Sequence, residues 1–519
     1  MNPTQTLHAA YAHYPNGIAT ICGERQQSWT ELRDRVERLA GALVSQGVAA
    51  GDRVAILAMN SDRYLEYYYA VWWAGAVVVP LNVRWSATEN AYSLKDSGTT
   101  VLFVDGNFLP MLEEIRADAG ALREVVFCGD EPTPAGLLDY ETLVADGVPV
   151  TDAERGAGEL AGIYYTGGTT GFPKGVMVSH QALWFNAFVA AHHMELTPGS
   201  RYLHAAPMFH MADHCGSFGV SMIGATHVFV PAFEAGLVMD TVRQHGVTHS
   251  LLVPTMINML LQHEKCTPEN MQSLGHLIYG ASPMPEGVLR ETMSRFPNTR
   301  LIQAYGQTEL APLVTCLPAE YHALEGPKSG KLRAAGRPVI GVELKILDEE
   351  HQVVATGEVG EIVVRSPGAM LGYWQLPEQT EATLIDGWVH TGDGAYIDED
   401  GFVFIVDRLK DMIVTGGENV FSAEVESVIS THPAVSAVAV IGIPDEKWGE
   451  AVHAIVVLKD GESVIEQQII DHVKPQIANY KCPRSVSFRS EPLPLSGAGK
   501  VLKRELREPY WEGTDRGVG

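Results

Sequence analysis

The sequence is poor in positive charge. Lys and Arg number 37 against 63 Asp and Glu, which gives a formal net charge of −26. A surface that binds nucleic acid needs clustered basic side chains, so this balance argues against a nucleic-acid partner. A pocket for one small anionic substrate stays compatible with it, because a few well-placed cations are enough for such a pocket.

Long apolar runs and paired cysteines are also lacking. No apolar stretch approaches the roughly 18 residues that a bilayer span needs, so we expect no membrane span. Residues 1–17 show no basic start followed by an apolar block, so we expect no secretory signal. The six cysteines are scattered without a CxxC pair. This pattern favours free thiols in a reducing cytoplasm over a disulfide framework.

The chain is too long for one ordinary core. With 519 residues it should split into two or more domains. Helical and strand patterns alternate through its first two thirds, beginning with a helix over 28–47 that Ser28 and Glu31 start with a capping box. Short, continuously apolar strands follow as far as 301–305. Such strands between helices predict a parallel sheet covered on both faces.

The texture of the sequence changes in its last third. Between about Val339 and Val406, short strands alternate with Gly- and Asp-rich turns, which predicts a smaller antiparallel β region. The remainder reads as a compact α+β unit, in which Ser463 and Glu466 are predicted to cap a helix. The charged segment 407–411 lies between the two. We therefore predict an α/β fold: a large N-terminal domain of layered α/β sheets plus a small β region, with a small, mobile α+β C-terminal domain. The predicted boundaries are 1–408 and 409–519.

A dense glycine-rich segment at 164–175 carries the strongest functional signal. It reads Tyr-Tyr-Thr-Gly-Gly-Thr-Thr-Gly-Phe-Pro-Lys-Gly, with an apolar strand end before it and a segment 176–190 after it that is expected to lead into a helix. Glycines let backbone N–H groups approach phosphate oxygens, threonines add hydroxyl donors, and Lys174 adds a cation. A plain surface turn would not need this combination. Lys174 is followed by Gly175 and not by Ser or Thr, so the segment is not a Walker A loop.

This segment resembles the phosphate-binding signature of the adenylate-forming superfamily, which includes acyl-CoA synthetases, luciferases and the adenylation domains of peptide synthetases. The family usually has Ser where this chain has Gly168, so one hydroxyl donor is missing here. The resemblance implies that the segment binds the phosphates of ATP through Lys174 and through Thr166, Gly167, Gly168, Thr169, Thr170 and Gly171.

A second matching motif is Tyr305-Gly-Gln-Thr-Glu309, which follows a predicted strand. By resemblance, Tyr305 stacks on the purine, Thr308 donates to a phosphate oxygen and Glu309 holds Mg²⁺. Without the resemblance, the motif would read equally well as a plain turn between a strand and a helix. The expected nucleotide-binding set also includes Gly280, Ala281 and Gly306.

Two further motifs lie at and before the predicted boundary. Thr391-Gly-Asp393 matches the family's TGD motif, which implies that Asp393 accepts hydrogen bonds from the ribose hydroxyls. In the segment 407–419 the resemblance places Arg408 on the nucleotide and makes Lys410 the hinge about which the C-terminal domain rotates. It places Gly416 and Gly417 on the loop that faces the thiol channel of coenzyme A after rotation.

The last motif is Pro494-Leu-Ser-Gly-Ala-Gly-Lys500. A lysine on a glycine-flanked loop is ordinarily solvent-exposed, but the family places its adenylation lysine in a PxTxxGK motif at this point. The Gly499–Lys500 pair matches that motif, while Leu495 departs from the more usual basic or small residue. The resemblance spans roughly Ser28 to Arg507, and it implies that Lys500 catalyses adenylation.

The region around His210 is expected to hold the acid. Pro207-Met-Phe-His210 resembles the family motif whose His borders the acyl site. His210 and His214 also stand four residues apart with Asp213 between them, a spacing that a metal pair could use. In several fatty acyl-CoA synthetases the position four after this His is a Trp gate, and here it is His214. The predicted pocket wall is mostly apolar: Phe209, Val220, Tyr279, Gly280, Ala281 and Leu310.

Together these motifs predict an ATP-dependent acyl-CoA ligase that uses Mg²⁺ and coenzyme A. The apolar wall favours an apolar monocarboxylate: a fatty acid, and hence a place in lipid metabolism, a short thioether acid such as a methylthio-alkanoate, or an aryl-substituted acid. The rival functions are an adenylation enzyme for a separate carrier protein, a luciferase-like oxygenase and a non-catalytic binding protein. Lys174, Glu309, Asp393 and Lys500 argue against the last of these. The sequence leaves the oligomeric state open, a homodimer included.

Overall fold

The structure is a computed structural model that describes residues 1–167, 173–408, 411–416, 418–445, 447–496 and 501–511, with backbone only at 408 and 419. The α-helices in these ranges are α1 (Thr4–His13), α2 (Trp29–Ser45), α3 (Asp62–Trp73), α4 (Ala87–Ser97), α5 (Leu112–Asp118), α6 (Tyr140–Asp146), α7 (His180–His193), α8 (Met211–Ile223), α9 (Ala235–His245), α10 (Pro254–Gln262), α11 (Glu286–Arg295), α12 (Pro377–Thr383), α13 (Ser422–Ser430), α14 (Glu466–Val473) and α15 (Lys503–Trp511).

The strands of the first 320 residues form two large sheets. They are β1 (Ile18–Cys22), β2 (Arg25–Ser28), β3 (Arg53–Leu57), β4 (Val77–Pro80), β5 (Val101–Val104), β6 (Glu124–Phe127), β7 (Leu138–Asp139), β8 (Leu160–Thr166), β9 (Lys174–Ser179), β10 (Arg201–His204), β11 (Thr226–Phe229), β12 (His249–Leu252), β13 (His276–Gly280), β14 (Arg300–Gly306) and β15 (Leu313–Leu317).

The later strands complete these sheets and form two smaller ones. They are β16 (Arg337–Pro338), β17 (Glu343–Leu347), β18 (Gly360–Arg365), β19 (Gly372–Tyr373), β20 (Leu384–Ile385), β21 (Trp388–Ile397), β22 (Val403–Arg408), β23 (Ile413–Thr415), β24 (Glu418–Val420), β25 (Val435–Asp445), β26 (Gly449–Leu458) and β27 (Ser485–Arg489).

The two large sheets are mostly parallel, with antiparallel pairs at both edges of the nine-stranded sheet and at the β19 edge of the eight-stranded sheet. The nine-stranded sheet has the order β16-β15-β14-β13-β12-β10-β11-β1-β2, and its run from β14 to β1 is parallel. The eight-stranded sheet has the order β19-β9-β8-β4-β3-β5-β6-β7, with β4-β3-β5-β6 parallel. The carboxyl ends of neighbouring parallel strands lie on one edge, where ligands of such sheets usually bind.

Helices α3 and α8 fill the space between the two large sheets. Every residue of α3 is buried. Its aromatic side chains pack with strands of the eight-stranded sheet and with Phe218 of α8 in one cluster, while Cys215 and Val220 of α8 pack with the nine-stranded sheet in another. Four of these aromatic residues donate to backbone carbonyl oxygens: Tyr67, Tyr68, Trp72 and Trp73, with Trp72 Nε1 2.9 Å from the oxygen of Ala161. These bonds keep most of the polar tips satisfied and help so aromatic a helix to lie in the core.

Two smaller sheets follow. Strands β17, β18, β20, β21 and β22 form an antiparallel sheet, and β23 to β27 form a C-terminal sheet with α13, α14 and α15 nearby. The C-terminal unit touches the larger part of the chain through polar contacts. Asn258 Nδ2 donates to the Ser436 carbonyl oxygen at 3.2 Å, and Arg333 Nη2 donates to Ser427 Oγ at 3.0 Å. The predicted α/β class with a separate, smaller C-terminal unit is confirmed.

Several local predictions are confirmed closely. Ser28 Oγ accepts from the backbone N–H of Glu31 at 3.2 Å, and Glu31 Oε2 accepts from the backbone N–H of Ser28 at 2.7 Å, so the capping box of α2 is present. The later antiparallel region is also present, as the sheet from β17 to β22. The cysteines are free thiols. None of the helices in the described ranges reaches the length and apolar character of a bilayer span.

One local prediction was incomplete and two were wrong. The segment after the glycine-rich loop first forms β9, and helix α7 begins only at His180. The sequence pattern predicts that Asp393 stands just after a strand, but it lies inside β21. Ser463 does not cap α14, because Ile465 takes that place and Gln468 Oε1 accepts its N–H at 2.9 Å. Ile465 is 66% exposed, so it does not share the buried face of that helix.

Candidate active site

The glycine-rich segment connects two antiparallel strands, β8 and β9. Thr166 at the end of β8 faces Lys174 at the start of β9 across an antiparallel pair. The predicted phosphate contacts Gly168, Thr169, Thr170 and Gly171 lie outside the described residues, whereas Thr166, Gly167 and Lys174 are described. This strand pairing therefore fixes both ends of the segment and sets Lys174 at one of them.

A chain of side chains runs from Lys174 to Glu309. Lys174 Nζ lies 5.5 Å from the ring centroid of Tyr373, within the range of a cation–π contact. The Tyr373 hydroxyl donates to Glu309 Oε1 at 2.9 Å. The backbone N–H of Met370 donates to the Glu309 carbonyl oxygen at 2.8 Å. Because β19 pairs with β9, the eight-stranded sheet thus meets the turn that follows β14.

A second tyrosine joins the nine-stranded sheet to the small antiparallel sheet. The Tyr305 hydroxyl, at the end of β14, donates to Asp393 Oδ2 at 2.7 Å. Asp393 follows Gly392, whose φ of +68° marks an irregularity in β21 where the register with β18 shifts. A bulge of this kind re-aims one side chain of a strand. The structure thereby brings Asp393 to Tyr305, while the strand pairing sets Arg408 opposite Asp393.

The glycines predicted beside the nucleotide lie at strand ends where backbones approach closely. A Cβ on Gly280 would stand 2.0 Å from the carbonyl oxygen of Ala304, and one on Gly306 would stand 1.7 Å from that of Pro312. Ala281 has a positive φ of 63°, a conformation that is uncommon for residues other than glycine. These close approaches require glycine at the carboxyl ends of β13 and β14, next to Thr308 and Glu309.

His210 and His214 do not form a metal pair. His210 is the N-cap of α8, and its Nδ1 accepts from the backbone N–H of Ala212 at 3.2 Å. His214 points instead into an aromatic cluster, with Nε2 3.0 Å from the Tyr68 hydroxyl and Nδ1 3.5 Å from that of Tyr164. Burial lowers the pKa of His214 to about 3. Among the residues with described positions, no group of three or more His, Cys, Asp or Glu could hold a metal ion.

The predicted wall of the acid pocket does not form one cluster. Phe209, Val220, Tyr279 and Leu310 belong to four separate buried clusters. Tyr279 hydrogen-bonds with His322 Nε2 at 2.8 Å. Their assignment to a single wall stays a prediction.

The C-terminal residues are described only in part. Lys410, Gly417 and Lys500 lie outside the described ranges. Gly416 adopts a φ of +62°, and a Cβ there would stand 2.6 Å from the Trp448 ring. Arg84 Nη1 donates to the carbonyl oxygen of Ser496 at 2.8 Å. This bond holds the start of the segment that leads to Lys500 beside the segment between β4 and α4.

Residues that no motif pointed to complete the arrangement. Tyr373 links Lys174 to Glu309, and Arg84 contacts the segment before Lys500. Asn60 binds the loop that carries His210, since its Nδ2 donates to the carbonyl oxygen of Ala206 at 2.9 Å and its Oδ1 accepts from the N–H of Met208 at 2.8 Å. Each of these contacts joins residues far apart in the chain, so a local pattern could not have revealed them.

Comparison with known proteins agrees with this geometry. Residues 7–374 match the AMP-binding enzyme family, and residues 424–500 match the AMP-binding enzyme C-terminal domain. The chain is 36% identical to the fatty acid–[acyl-carrier-protein] ligase ScoC of Streptomyces coeruleorubidus, over 99% of this chain and 97% of that protein. It is 38% identical to a feruloyl-CoA synthase of an Amycolatopsis species, over 96% of each chain.

Solved structures give the same result. The crystal structure of the anthranilate CoA ligase AuaEII in complex with anthranoyl-AMP superposes with a TM-score of 0.91 at 27% identity, covering 98% of this chain and 97% of that chain. Both the family match and the relatives extend across most of the sequence. The chain is thus an AMP-forming acyl-CoA synthetase in type, and it belongs to the AMP-binding enzyme family of the adenylate-forming superfamily.

Proposed function

We propose that this enzyme activates an apolar monocarboxylic acid, of the fatty acid type, as an acyl-adenylate and transfers the acyl group to coenzyme A. One observation carries the proposal: Tyr373 links Lys174 of β9 to Glu309 in the turn after β14, and Tyr305 at the end of β14 links to Asp393 of β21. A cation, a carboxylate suited to a metal and a carboxylate suited to a ribose are the groups that an adenylation site needs.

The first half-reaction joins two anions. The carboxylate oxygen of the acid attacks the α-phosphorus of ATP, the bond to the bridging oxygen breaks, and pyrophosphate leaves with the electron pair. Positioning and neutralisation of charge should supply most of the rate. In this proposal Lys174 and Lys500 stabilise phosphate charge, the loop with Thr166 and Gly167 binds the phosphates, and Thr308 donates to a phosphate oxygen.

The residues present fit a bound Mg²⁺. Magnesium usually takes one or two protein carboxylates together with phosphate oxygens of the substrate. Tyr373 fixes Oε1 of Glu309, and within the described ranges no protein group hydrogen-bonds Oε2. Glu309 would therefore hold the ion, which when bound would neutralise charge on the phosphates.

The second half-reaction needs access for a thiol. We propose that residues 409–519 rotate about Lys410 as a mobile domain, which withdraws Lys500 and presents Gly416 and Gly417 to the thiol channel. Arg408 contacts the nucleotide in this scheme. The bond from Arg84 to Ser496 supports a docked arrangement for adenylation, since it holds the segment before Lys500 against the larger part of the chain.

The acid itself is assigned from two lines of support. His210 caps the helix that enters the core at the expected acid site, and the neighbouring predicted wall is mostly apolar, which supports a fatty acid. A second candidate is an aryl-substituted acid, and it is favoured by the 38% identity with a feruloyl-CoA synthase. A carrier protein as acyl acceptor is supported by the 36% identity with ScoC.

We further propose that the enzyme works in the cytoplasm, which the free cysteines support. Its assembly as a homodimer stays a prediction.

Pyrophosphate release across a panel of acids, with and without coenzyme A, tests the proposal. We expect release with medium- and long-chain fatty acids to exceed release with ferulate or anthranilate, and thioester to form only when coenzyme A is present. Preference for the aryl acids would make the second candidate correct. Thioester formation only on an added carrier protein would overturn the assignment of coenzyme A.

Lys500→Ala separates the two half-reactions in the same assay. The variant should lose pyrophosphate release by about 10²- to 10³-fold, because a charge on the transition state is no longer stabilised. It should still convert supplied acyl-AMP to thioester. Equal loss of both steps would contradict the assigned role, and no release by the unaltered enzyme with any acid would overturn the ligase proposal.

A further inference from the structure

Helix α8 carries a polar face inside the core. Asp213, Ser217 and Ser221 follow one another at intervals of four residues, so they lie on one side of the helix. All three are fully buried. That side of the helix meets two histidines, His204 of β10 and His227 of β11, which are also fully buried.

These residues form one continuous chain of hydrogen bonds. His204 Nδ1 lies 2.7 Å from Asp213 Oδ2, and His204 Nε2 lies 2.9 Å from His227 Nδ1. His227 Nε2 lies 2.9 Å from Ser221 Oγ. An ionised carboxylate only accepts, so His204 donates from Nδ1. Two acceptors lie within reach of the single Ser221 hydroxyl proton: His227 Nε2 at 2.9 Å and the Ser217 carbonyl oxygen at 3.2 Å.

The residue types resemble those of a hydrolytic triad, but the chain cannot act as one. Ser221 is fully buried, so no substrate carbonyl could reach its oxygen. Stability alone does not explain the chain either. Asp213 Oδ1 is buried and has no hydrogen-bond partner in the described part of the protein, and a half-satisfied buried carboxylate is costly.

The bond between His204 and Asp213 closes a loop that carries His210. His204 ends β10, Asp213 lies in the first turn of α8, and His210 stands between them in sequence. The loop is tied at two more places. Asn60 donates to the Ala206 carbonyl oxygen and accepts from the Met208 N–H, and the Tyr68 hydroxyl donates to the Met208 carbonyl oxygen at 2.8 Å.

We propose that Asp213 and His204 are positioning residues that hold the loop 204–213, and with it His210, in the geometry that binds the acid; the role in acid binding rests on the proposed function. His227 and Ser221 continue the hydrogen-bonded chain on the other side of His204. The nucleotide residues Lys174, Glu309 and Asp393 belong to other elements. Loosening the loop should therefore weaken binding of the acid and leave binding of ATP nearly unchanged.

Steady-state kinetics of pyrophosphate release measures this difference. For Asp213→Ala we expect the KM for the acid to rise about tenfold or more, because displacement of a positioning element by about 1 Å can cost up to 10²-fold. The KM for ATP should change less than about twofold on the same reasoning. Asp213→Asn keeps an oxygen that can accept from His204, so it should recover most of the loss.

His249→Gln is the matched control. This histidine is also buried, lies on β12 of the same sheet and hydrogen-bonds with Thr248. It should lower the amount of folded enzyme without changing the ratio of the two KM values. The proposal is overturned if Asp213→Ala behaves in this way, or if both KM values rise together.

Hydrogen–deuterium exchange followed by mass spectrometry tests whether Asp213 holds the loop, even if no acid in the panel reacts. Peptides covering 205–212 should exchange faster in Asp213→Ala than in the unaltered enzyme, and peptides of β12 should not. If Asp213→Ala does not fold, Asp213→Asn takes its place and should show a smaller increase in the same peptides. Unchanged exchange over 205–212 would overturn the proposal that Asp213 and His204 hold the loop. If the unaltered enzyme folds but turns over no acid, that result would count only against the proposed function.

Discussion

The nucleotide side and the acid side of the candidate site are built in opposite ways. On the nucleotide side, Lys174 starts a strand, Glu309 lies in a turn and Asp393 lies at an irregularity inside β21, and Tyr373 and Tyr305 contact them. On the acid side, His210 is carried by a loop that buried side chains hydrogen-bond. The first side is organised by sequence motifs, and the second is organised by the core.

This difference predicts how each half responds to substitution. In the proposed function the nucleotide-side residues act directly on ATP, so their removal should reduce activity strongly without affecting the fold. An acid-side residue acts through packing, so its removal should change substrate affinity and stability together. Three substitutions outside the hydrogen-bonded chain of Asp213 test this contrast.

The largest effect is expected for Glu309→Gln. The amide keeps an oxygen for the Tyr373 hydroxyl but loses the negative charge that would hold Mg²⁺. We expect kcat/KM for pyrophosphate release to fall about 10²-fold, in line with the loss of one electrostatic group in an active site. Titration with Mg²⁺ should show a weaker apparent affinity. Glu320→Gln, which removes a carboxylate from an exposed ion pair with Lys328, should leave both quantities unchanged.

A smaller effect is expected for Tyr305→Phe. The variant removes the hydroxyl that donates to Asp393, so one contact that orients this carboxylate toward the proposed ribose position is lost. Loss of one such hydrogen bond costs about 1 kcal/mol, so the KM for ATP should rise about fivefold. The KM for the acid should stay constant. Tyr396→Phe, in the same sheet and stacked on Phe404, is the control; an equal rise there would show a general loosening of β21.

The smallest effect on activity at neutral pH is expected for His214→Phe, which should instead change how stability depends on pH. Burial, with smaller contributions from His210 and His204, lowers the pKa of His214 to about 3 in the folded protein. The unfolded chain binds a proton below about pH 6.5. The contribution of the neutral, buried His214 to the free energy of unfolding is therefore complete above that pH. It is lost as the pH falls, because the unfolded chain gains a proton that the folded protein does not.

Urea unfolding at pH 7, 6 and 5 measures this loss. The slope of the unfolding free energy against pH should be smaller in His214→Phe by roughly 1.4 kcal/mol per pH unit, the value for one proton. Phe218→Leu disturbs the same aromatic cluster without removing a titrating group, so it should keep the original slope. An unchanged slope in His214→Phe would contradict the neutral, buried state of that histidine.

The contrast between the two halves also explains how far the sequence could be read. The capping box of Ser28 and Glu31 was predictable because it depends on residues three apart. The site residues Tyr305 and Asp393 were found as separate motifs, but the bond between them depends on a bulge that no local pattern marks. The roles of Tyr373 and Asn60 could not be predicted from the sequence, because their partners are distant in the chain.

The acid side was the hardest to predict for the same reason. The spacing of His210 and His214 suggested a shared role, yet the helix turns His214 toward Tyr68 and Tyr164 while His210 stays at the helix start. The sequence suggested Asp213 only as part of a possible metal site between the two histidines, whereas its carboxylate hydrogen-bonds His204. Which neighbour a buried polar group finds depends on the packing of whole sheets.

Helix α8 has no face that can change alone. Gly216 lies against the ring of Tyr202, Gly219 lies against the backbone of α7, and His214 and Asp213 point to further neighbours. A mutation that widens or narrows the acid site from this helix must therefore be matched by changes in the elements around it. We expect lineages that acquire new acids to alter α8 together with α3, α7 and β10 as a block, and laboratory evolution that varies α8 by itself to reach few new substrates.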